Sequence, residues 1–287
     1  MKLLFKFLFA IIIIGVFSCQ ENKAIISQKK EIQEMDSAII NVSYADAYDE
    51  FDNEMKNTIA EAKEKIKYLI KNNKNEKIVK HNYKQKSKIT NSESHIEIEF
   101  GNLFIETDIH ALLRIGAIYQ TVICVYYPNS DSLQTLLYFD EYHNTYQGDT
   151  IRDVNGDNKK DFIIKSYPMS GCCLAELRDV YLFQTATKFS AQYHFLNPTF
   201  YPKEKIIRGL TYGWNPSLYK YKWNELKIDT LEYIIPNIED TTRSTFFKTK
   251  KWRYPLNMEN VEKINLNSIP KEYHSIDNFD VFLRGLD

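Results

Sequence analysis

Glycine and proline are scarce in this chain, 9 and 8 among 287 residues. That scarcity excludes collagen-like and low-complexity disordered architectures, which are rich in both. An excess of one charge is also missing. Lys and Arg number 37 and Asp and Glu 38, for a formal net charge of −1. A nucleic-acid binder needs a concentrated basic face, so that class is set aside. No P-loop, dinucleotide fingerprint, H-E-x-x-H or G-x-S-x-G occurs. The six histidines, His81, His95, His110, His143, His194 and His274, lack metal-ligand spacing and read as ordinary surface or core residues. Cysteines are few. Beyond Cys19 there are Cys124, Cys172 and Cys173, with no C-x-x-C to hold zinc. In an oxidising compartment, one disulfide plus one free thiol is the simple arithmetic. A bridge between adjacent Cys172 and Cys173 is strained, so Cys124 with either one is the expected pair; three reduced, buried thiols are the alternative. A reactive thiol at Cys172-Cys173 would need an activating neighbour, and no histidine is close in sequence. Asp140 and Glu141 are weighed as a glycosidase-type pair and read as surface acids.

What is present begins at the N-terminus. Lys2 and Lys6 precede an apolar run from Leu3 to Phe17, and Gly15-Val16-Phe17-Ser18 leads into Cys19. The run is shorter than the roughly 20 residues a spanning helix needs. The pattern resembles a bacterial lipoprotein signal, in which the cysteine is acylated, with chains such as palmitate, and becomes the mature N-terminus. An uncleaved single-pass anchor is the alternative. Two acyl chains suffice for stable membrane anchoring, where one binds only marginally. The expected organisation is a signal peptide at 1–18, a tether at 19–44, a helix and linker at 45–90, and a β-rich domain at 91–287. The implied location is the cell envelope, lipid-anchored to a membrane, with the periplasmic or surface side open.

From Ala45 to Lys71, the residues Tyr48, Phe51, Met55, Ile59, Ala62, Ile66 and Leu69 step by threes and fours and fall on one helical face. Asp46, Asp49 and Glu50 in the first turns and Lys67 and Lys71 in the last suit the helix dipole. Such an amphipathic helix docks on the β domain, forms a stalk, or self-associates. Lys74 to Lys88 reads as a solvated, Lys/Asn-rich linker. Tyr and Phe are abundant, at 20 and 17, which suits sheet packing. Ile96, Ile98 and Phe100 alternate, and Gly101-Asn102 with Leu103 and Ile105 predicts a hairpin. Further strands are predicted at 117–127, 133–142, 149–152, 162–167, 179–184, 189–195, 205–210, 218–223 and 226–235, with weaker ones at 244–247, 250–254 and 261–266. Tyr212, Trp214, Tyr219, Tyr221 and Trp223 cluster around Gly213. Most belong in a core, and some suit a binding face. The fold class is mainly β, an antiparallel propeller-like or sandwich-like arrangement with an N-terminal amphipathic helix.

One stretch carries specific chemistry: Asp153-Val154-Asn155-Gly156-Asp157-Asn158-Lys159-Lys160-Asp161, followed by Phe162-Ile163-Ile164. Acidic or amide side chains at loop positions 1, 3, 5 and 9 wrap oxygens around a hard cation. Asp153, Asn155, Asp157 and Asp161 offer side chains. Lys159 offers its carbonyl, with its ammonium turned to solvent. The flanks are strand-like, and position 12 is Ile164 rather than the Glu of an EF-hand. Asn155-Gly156 is itself a turn signal, but a bare turn leaves Asp153 and Asp161 unexplained. One structural calcium is expected, with an affinity of about 0.1–1 mM as in extracellular modules.

The loop resembles the calcium loop of FG-GAP and VCBS-type β repeats, D-x-[DN]-x-[DN]-G-x-x-D followed by an apolar strand, with Asn158 in place of the glycine. No second copy occurs, which argues against a propeller of identical blades. A longer resemblance runs from about Ile151 to Leu226. Val180-Tyr181-Leu182-Phe183, Lys188-Phe189, the bend from Leu196-Asn197-Pro198 to Arg208-Gly209, and Tyr219-Lys220-Tyr221-Lys222-Trp223-Asn224 are similar to a family of bacterial envelope proteins. Some members are periplasmic lipoproteins that inhibit lysozyme-like effectors as immunity proteins. The resemblance implies a β-rich fold with calcium at this loop, and an inhibitor role.

The chain therefore reads as a lipid-anchored envelope binding module stabilised by calcium, with an envelope protein or glycan as partner and no nucleic acid. It is not expected to be an enzyme. The alternatives are a secreted hydrolase with an unrecognised site and a structural envelope component built on helix self-association. The working surface is expected in the loops at 168–174 and 211–218.

Overall fold

The computed structural model describes residues 50–73, 76–118, 120–142, 144–168, 176–211, 216–242, 244–251 and 262–284. The signal, Cys19 and the tether, Cys172 and Cys173, and Tyr212 and Trp214 lie outside them. Two compact units are described separately: residues 50–61 with Lys88–Thr90, and the remainder. In the first unit, Thr58 Oγ1 donates to Glu54 O at 3.0 Å, and the Lys88 amide donates to Glu54 Oε1 at 2.6 Å. Residues 50–72 are helical (α1).

The second unit is built of antiparallel sheets. Sheet one is a meander of β1 (Ile78–Lys86), β2 (Glu93–Gly101), β3 (His110–Gly116), β4 (Thr121–Asn129) and β5 (Ser132–Glu141). Sheet two contains β6 (Asn144–Arg152), β7 (Asp161–Pro168), β8 (Leu177–Tyr181) and β11 (Tyr193–Leu196), in the order β11-β8-β7-β6. A small hairpin of β9 (Phe183–Thr185) and β10 (Lys188–Phe189) interrupts the path from β8 to β11. Sheet three is a second meander of β12 (Pro198–Tyr201), β13 (Ile206–Leu210), β14 (Leu218–Asn224), β15 (Lys227–Pro236), β16 (Phe246–Thr249) and β17 (Ile264–Leu266). A short helix, α2 (Phe279–Arg284), follows.

Sheet two is the middle layer, and its sequence shows it. Phe162 and Ile164 of β7 pack with Leu112, Ile123, Val125, Leu137 and Phe139 of sheet one. The residue between them, Ile163, packs with Phe200, Ile207, Tyr219 and Trp223 of sheet three. A strand covered on both faces needs a continuous apolar run rather than alternation, and Phe162-Ile163-Ile164 supplies it. Tyr181 likewise belongs to the first core while Val180 and Leu182 belong to the second. The far face of sheet three buries Leu210, Leu218, Ile234 and Phe246 under Tyr273, Ile276 and Phe282 of the C-terminal segment. Each such aromatic or aliphatic side chain contributes about 1.5–3 kcal/mol of transfer free energy.

Two expectations are corrected. The stretch expected as a solvated linker carries β1, paired with β2 from Ile78↔Gly101 to Lys86↔Glu93. Val79, His81, Tyr83 and Gln85 are half-buried and alternate with exposed Lys80, Asn82, Lys84 and Lys86. β1 is an edge strand, where lysines are tolerated and block further pairing. The second correction is at Gly101-Asn102, where no hairpin forms to Leu103 and Ile105. β3 begins only at His110, and Leu103 and Phe104 turn into the core from a loop. Gly101 has φ 143°, and a Cβ there would lie 2.0 Å from Lys77 O, so this crossing needs a glycine.

Candidate acidic-loop site

β6 and β7 pair from Asn144↔Pro168 to Arg152↔Asp161, and the acidic loop joins them. Asp153 organises it. Its Oδ1 accepts the amides of Asn155 (3.1 Å) and Gly156 (2.7 Å), and its Oδ2 accepts that of Asn158 (3.0 Å). Asn155 Oδ1 accepts the Asp157 amide at 3.1 Å, and Asp157 Oδ1 accepts the Lys159 amide at 2.9 Å. Acidic and amide side chains at alternate positions thus wind the backbone about themselves. Asn158 takes the left-handed conformation, φ 65°, as its place in the pattern requires. Gly156, φ 76°, lies against the corner after β12: a Cβ there would be 2.1 Å from Pro202 O.

Asp161 closes the loop from a fully buried position. Its Oδ2 accepts the Val154 amide and its Oδ1 the Phe183 amide, both at 3.0 Å. Burial pushes this carboxyl up to about 7. The two amide donors oppose that shift, and the charges of Asp157 and Asp153 add to it. Lys159 is exposed, as expected, and its ammonium also donates to Gln184 O at 2.9 Å. The loop therefore ties sheet two to the β9–β10 hairpin and to the first turn beyond β12.

The donor set fits a hard cation in its chemistry: three carboxylates, the Asn155 amide oxygen and the Lys159 carbonyl. Among the described residues, no three His, Cys, Asp or Glu side chains converge closely enough to hold a metal by themselves. Any cation held here would depend on Asn155 and the Lys159 carbonyl as well as on the acids.

The structure separates the loop from the segments expected to form the working surface. Asp161 begins β7 and Pro168 ends it, so the acidic loop and Pro168 lie at opposite ends of a strand about 23 Å long, and residues 169–174 lie outside the described residues. Thr211 is at the far end of β13 from the corner that touches Gly156. There the Thr211 amide donates to Ser217 O and the Ser217 amide to Thr211 Oγ1, both at 2.8 Å, which closes the base of that loop. Cys124 carries a free, buried thiol in β4, so the expected bridge from it is not formed. Cys124 lies opposite Leu113 of β3 in the register of sheet one, and the cysteines expected to bridge it lie outside the described residues. Tyr219 and Trp223 are core residues, and Tyr219 stacks on Tyr221 at 4.5 Å. Asp140 is tied to Gln120 Nε2 (2.9 Å) and Tyr138 OH (3.0 Å).

Two polar groupings emerge that sequence spacing did not reveal. Arg114 of β3 donates from Nε and Nη2 to Asp149 of β6 (2.5 and 2.7 Å) and from Nη1 to Glu99 (3.2 Å), while Tyr146 OH also donates to Asp149. His194 of β11 meets buried Asp179 of β8 through Nδ1 at 2.7 Å, and Gln192 Nε2 donates to the same oxygen. That hydrogen bond raises the pKa of His194. Partial burial opposes the shift, and the charges of Asp179 and Glu141 add to it. Both groupings join residues on different strands, so only strand order and register bring them together.

No family model matches this chain, and no curated protein matches it at a significant level.

Proposed function

We propose that the chain is a calcium-stabilised binding module of the bacterial cell envelope, held at a membrane through acylation of Cys19. The observation that supports it most directly is the acidic loop, in which Asp153, Asn155, Asp157 and Asp161 are gathered at one sheet end with Asp161 buried. The three layered sheets read as sandwich-like, with the loop clamping the middle layer to its neighbours. One calcium would be held by Asp153, Asn155, Asp157, the Lys159 carbonyl and Asp161. Bound there it would neutralise the loop's charge. Binding of an envelope protein or glycan falls to the other end of the sheets, and inhibition of a lysozyme-like enzyme is the form of binding to assay first.

The test is thermal unfolding of the chain from Cys19, wild type and Asp157→Ala, each with calcium and with chelator. At ~2 mM calcium and a dissociation constant of ~0.1 mM, the ion adds about 1.8 kcal/mol. For a domain of this size that is a rise of about 4–7 °C in the wild type, absent from the variant. Four coincident melts would remove calcium from the reading. Incorporation of labelled palmitate that is lost in Cys19→Ser tests the anchor.

A secreted hydrolase is the second reading. The pairing of half-exposed His194 with buried Asp179 favours it, because a carboxylate on Nδ1 leaves Nε2 free for proton transfer. Turnover of glycan or peptide substrates that disappears in His194→Ala would establish it.

A further inference from the structure

His110 opens β3 and is completely buried. Its Nε2 lies 2.7 Å from Ala186 O, at the tip of the β9–β10 hairpin. A carbonyl can only accept, so Nε2 carries the proton and Nδ1 is the bare nitrogen of a neutral ring. Nδ1 is sealed from solvent and makes no hydrogen bond among the described residues, although the Asp108 backbone faces the ring. Rings enclose the imidazole: Phe104 at 5.3 Å, and Tyr127 and Phe183 each at 5.8 Å between centroids. The same hairpin carries the Phe183 amide that holds Asp161 and the Gln184 carbonyl that holds Lys159. The imidazole thus adds a hydrogen bond between this hairpin and sheet one, across 76 residues of sequence, to the packing of Phe183 and Phe189 against Phe104 and the sheet-one core.

We propose that His110 is an acid-sensitive pin, which ties the β9–β10 hairpin to sheet one while neutral and releases it on taking a second proton. Protonation places a charge among aromatic rings, with the Asp108 backbone as the acceptor that faces the ring. The ring faces return part of the lost hydration, as cation–π contacts do, but not all of it. The groups facing His110 are few. Asp108, from the β2–β3 loop, favours the proton through its charge and backbone, and Tyr127 of β4 donates to Asp108 Oδ1 at 3.3 Å. The hairpin offers the Ala186 carbonyl. Burial outweighs Asp108, and the pKa of His110 is lowered. The sign follows: a depressed folded pKa means the hairpin's attachment is fully present above the unfolded value of about 6.5 and is lost as pH falls below it. Release would also free one of the two amides on Asp161, whether or not the loop holds calcium.

The experiment is amide hydrogen exchange of residues 182–190 in the full chain at pH 7.5 and 5.0, corrected for intrinsic rates, in wild type and His110→Gln. Gln keeps a donor for Ala186 O and takes no proton. The reporters are Thr185, Lys188 and Ser190. Phe183 is left out because its amide is bound to Asp161, which titrates itself. Wild type is expected to lose protection by up to about tenfold per pH unit, and His110→Gln to lose little. Equal losses in the two proteins, or none in wild type, would overturn the proposal. A ring-nitrogen titration of His110 in wild type gives a second readout, which stands even if the variant does not fold. A ring that stays neutral at the pH where the hairpin opens would overturn it as well.

Discussion

Replacing Arg114 with methionine tests whether the charged cluster between sheets one and two behaves as an interior one. Asp149 has 4% of its side-chain surface exposed, Glu99 14% and Arg114 16%. Arg114 grips Asp149 with two hydrogen bonds and Glu99 with a third, and Lys80 reaches Glu99 only from solvent at 3.3 Å. Burial alone would lower the pKa of Arg114, but the hydrogen bonds and charge of Asp149 outweigh that and raise it. Methionine fills most of the side chain's volume and removes the cation. Two carboxylates then remain, one of them almost fully buried with Tyr146 OH as its side-chain donor among the described residues. Breaking a buried pair in this way costs about 3–5 kcal/mol, a fall of about 6–20 °C in Tm for a domain of this size. Urea unfolding gives the free energy directly. Arg114→Met combined with Asp149→Leu should recover most of the loss, because a buried ion pair and a packed apolar pair are similar in stability. A single-variant loss below about 1 kcal/mol, the range of an exposed pair, would show that the cluster is hydrated and the reasoning wrong.

Two further outcomes follow from the same structure. Gly156→Ala should cost at least about 2 kcal/mol in chemical unfolding, since alanine must both adopt φ 76° and move Pro202 O from 2.1 Å; an unchanged midpoint would mean that the acidic loop is not seated on that corner. For His194 the folded pKa is raised, so its link to Asp179 contributes fully below about pH 6.5 and is lost as pH rises through the folded value. Wild type should therefore lose more Tm than His194→Gln between pH 5.5 and 8.5, by a small margin because the imidazole is 53% exposed, and parallel curves would refute the link.

What sequence reasoning reached and what it missed divide along one physical line. The acidic loop was legible because its chemistry is local: Asp153, Asn155 and Asp157 bind amides two to five residues away, so spacing alone encodes the turn. β4 and β5 were legible for a related reason, since a short turn joins two apolar-rich strands that pair directly. β1 was misread because composition hid alternation. Its lysines face outward from an edge, and the side chains between them, Val79, His81, Tyr83 and Gln85, are only partly apolar. Leu103 and Phe104 were misread because an apolar pair after a glycine has two destinations, a returning strand or a core. The packing of Phe104 against Phe162, Phe183 and Phe189 decides for the core, and those partners lie 58 or more residues on.

The same distance in sequence governs the polar groups. Arg114 and Asp149 are 35 residues apart, His194 and Asp179 are 15, and His110 and Ala186 are 76. None belongs to a motif, because each is created by the order in which strands are laid side by side. Sheet two is where that order matters most. Its two faces meet both neighbouring sheets, and the acidic loop at its end is fixed by contacts to β9 and to the corner beyond β12 rather than by β6 and β7 alone. A clamp of this kind transmits strain from either neighbour to the loop. Gly156→Ala on the sheet-three side and His110→Gln on the sheet-one side should therefore alter the protection of the Val154 amide, which binds Asp161 from within the loop, in addition to their own surroundings. Exchange at Val154 unaffected by either change would mean that the loop is held by its own side chains, and that its attachments to the two neighbouring sheets are incidental.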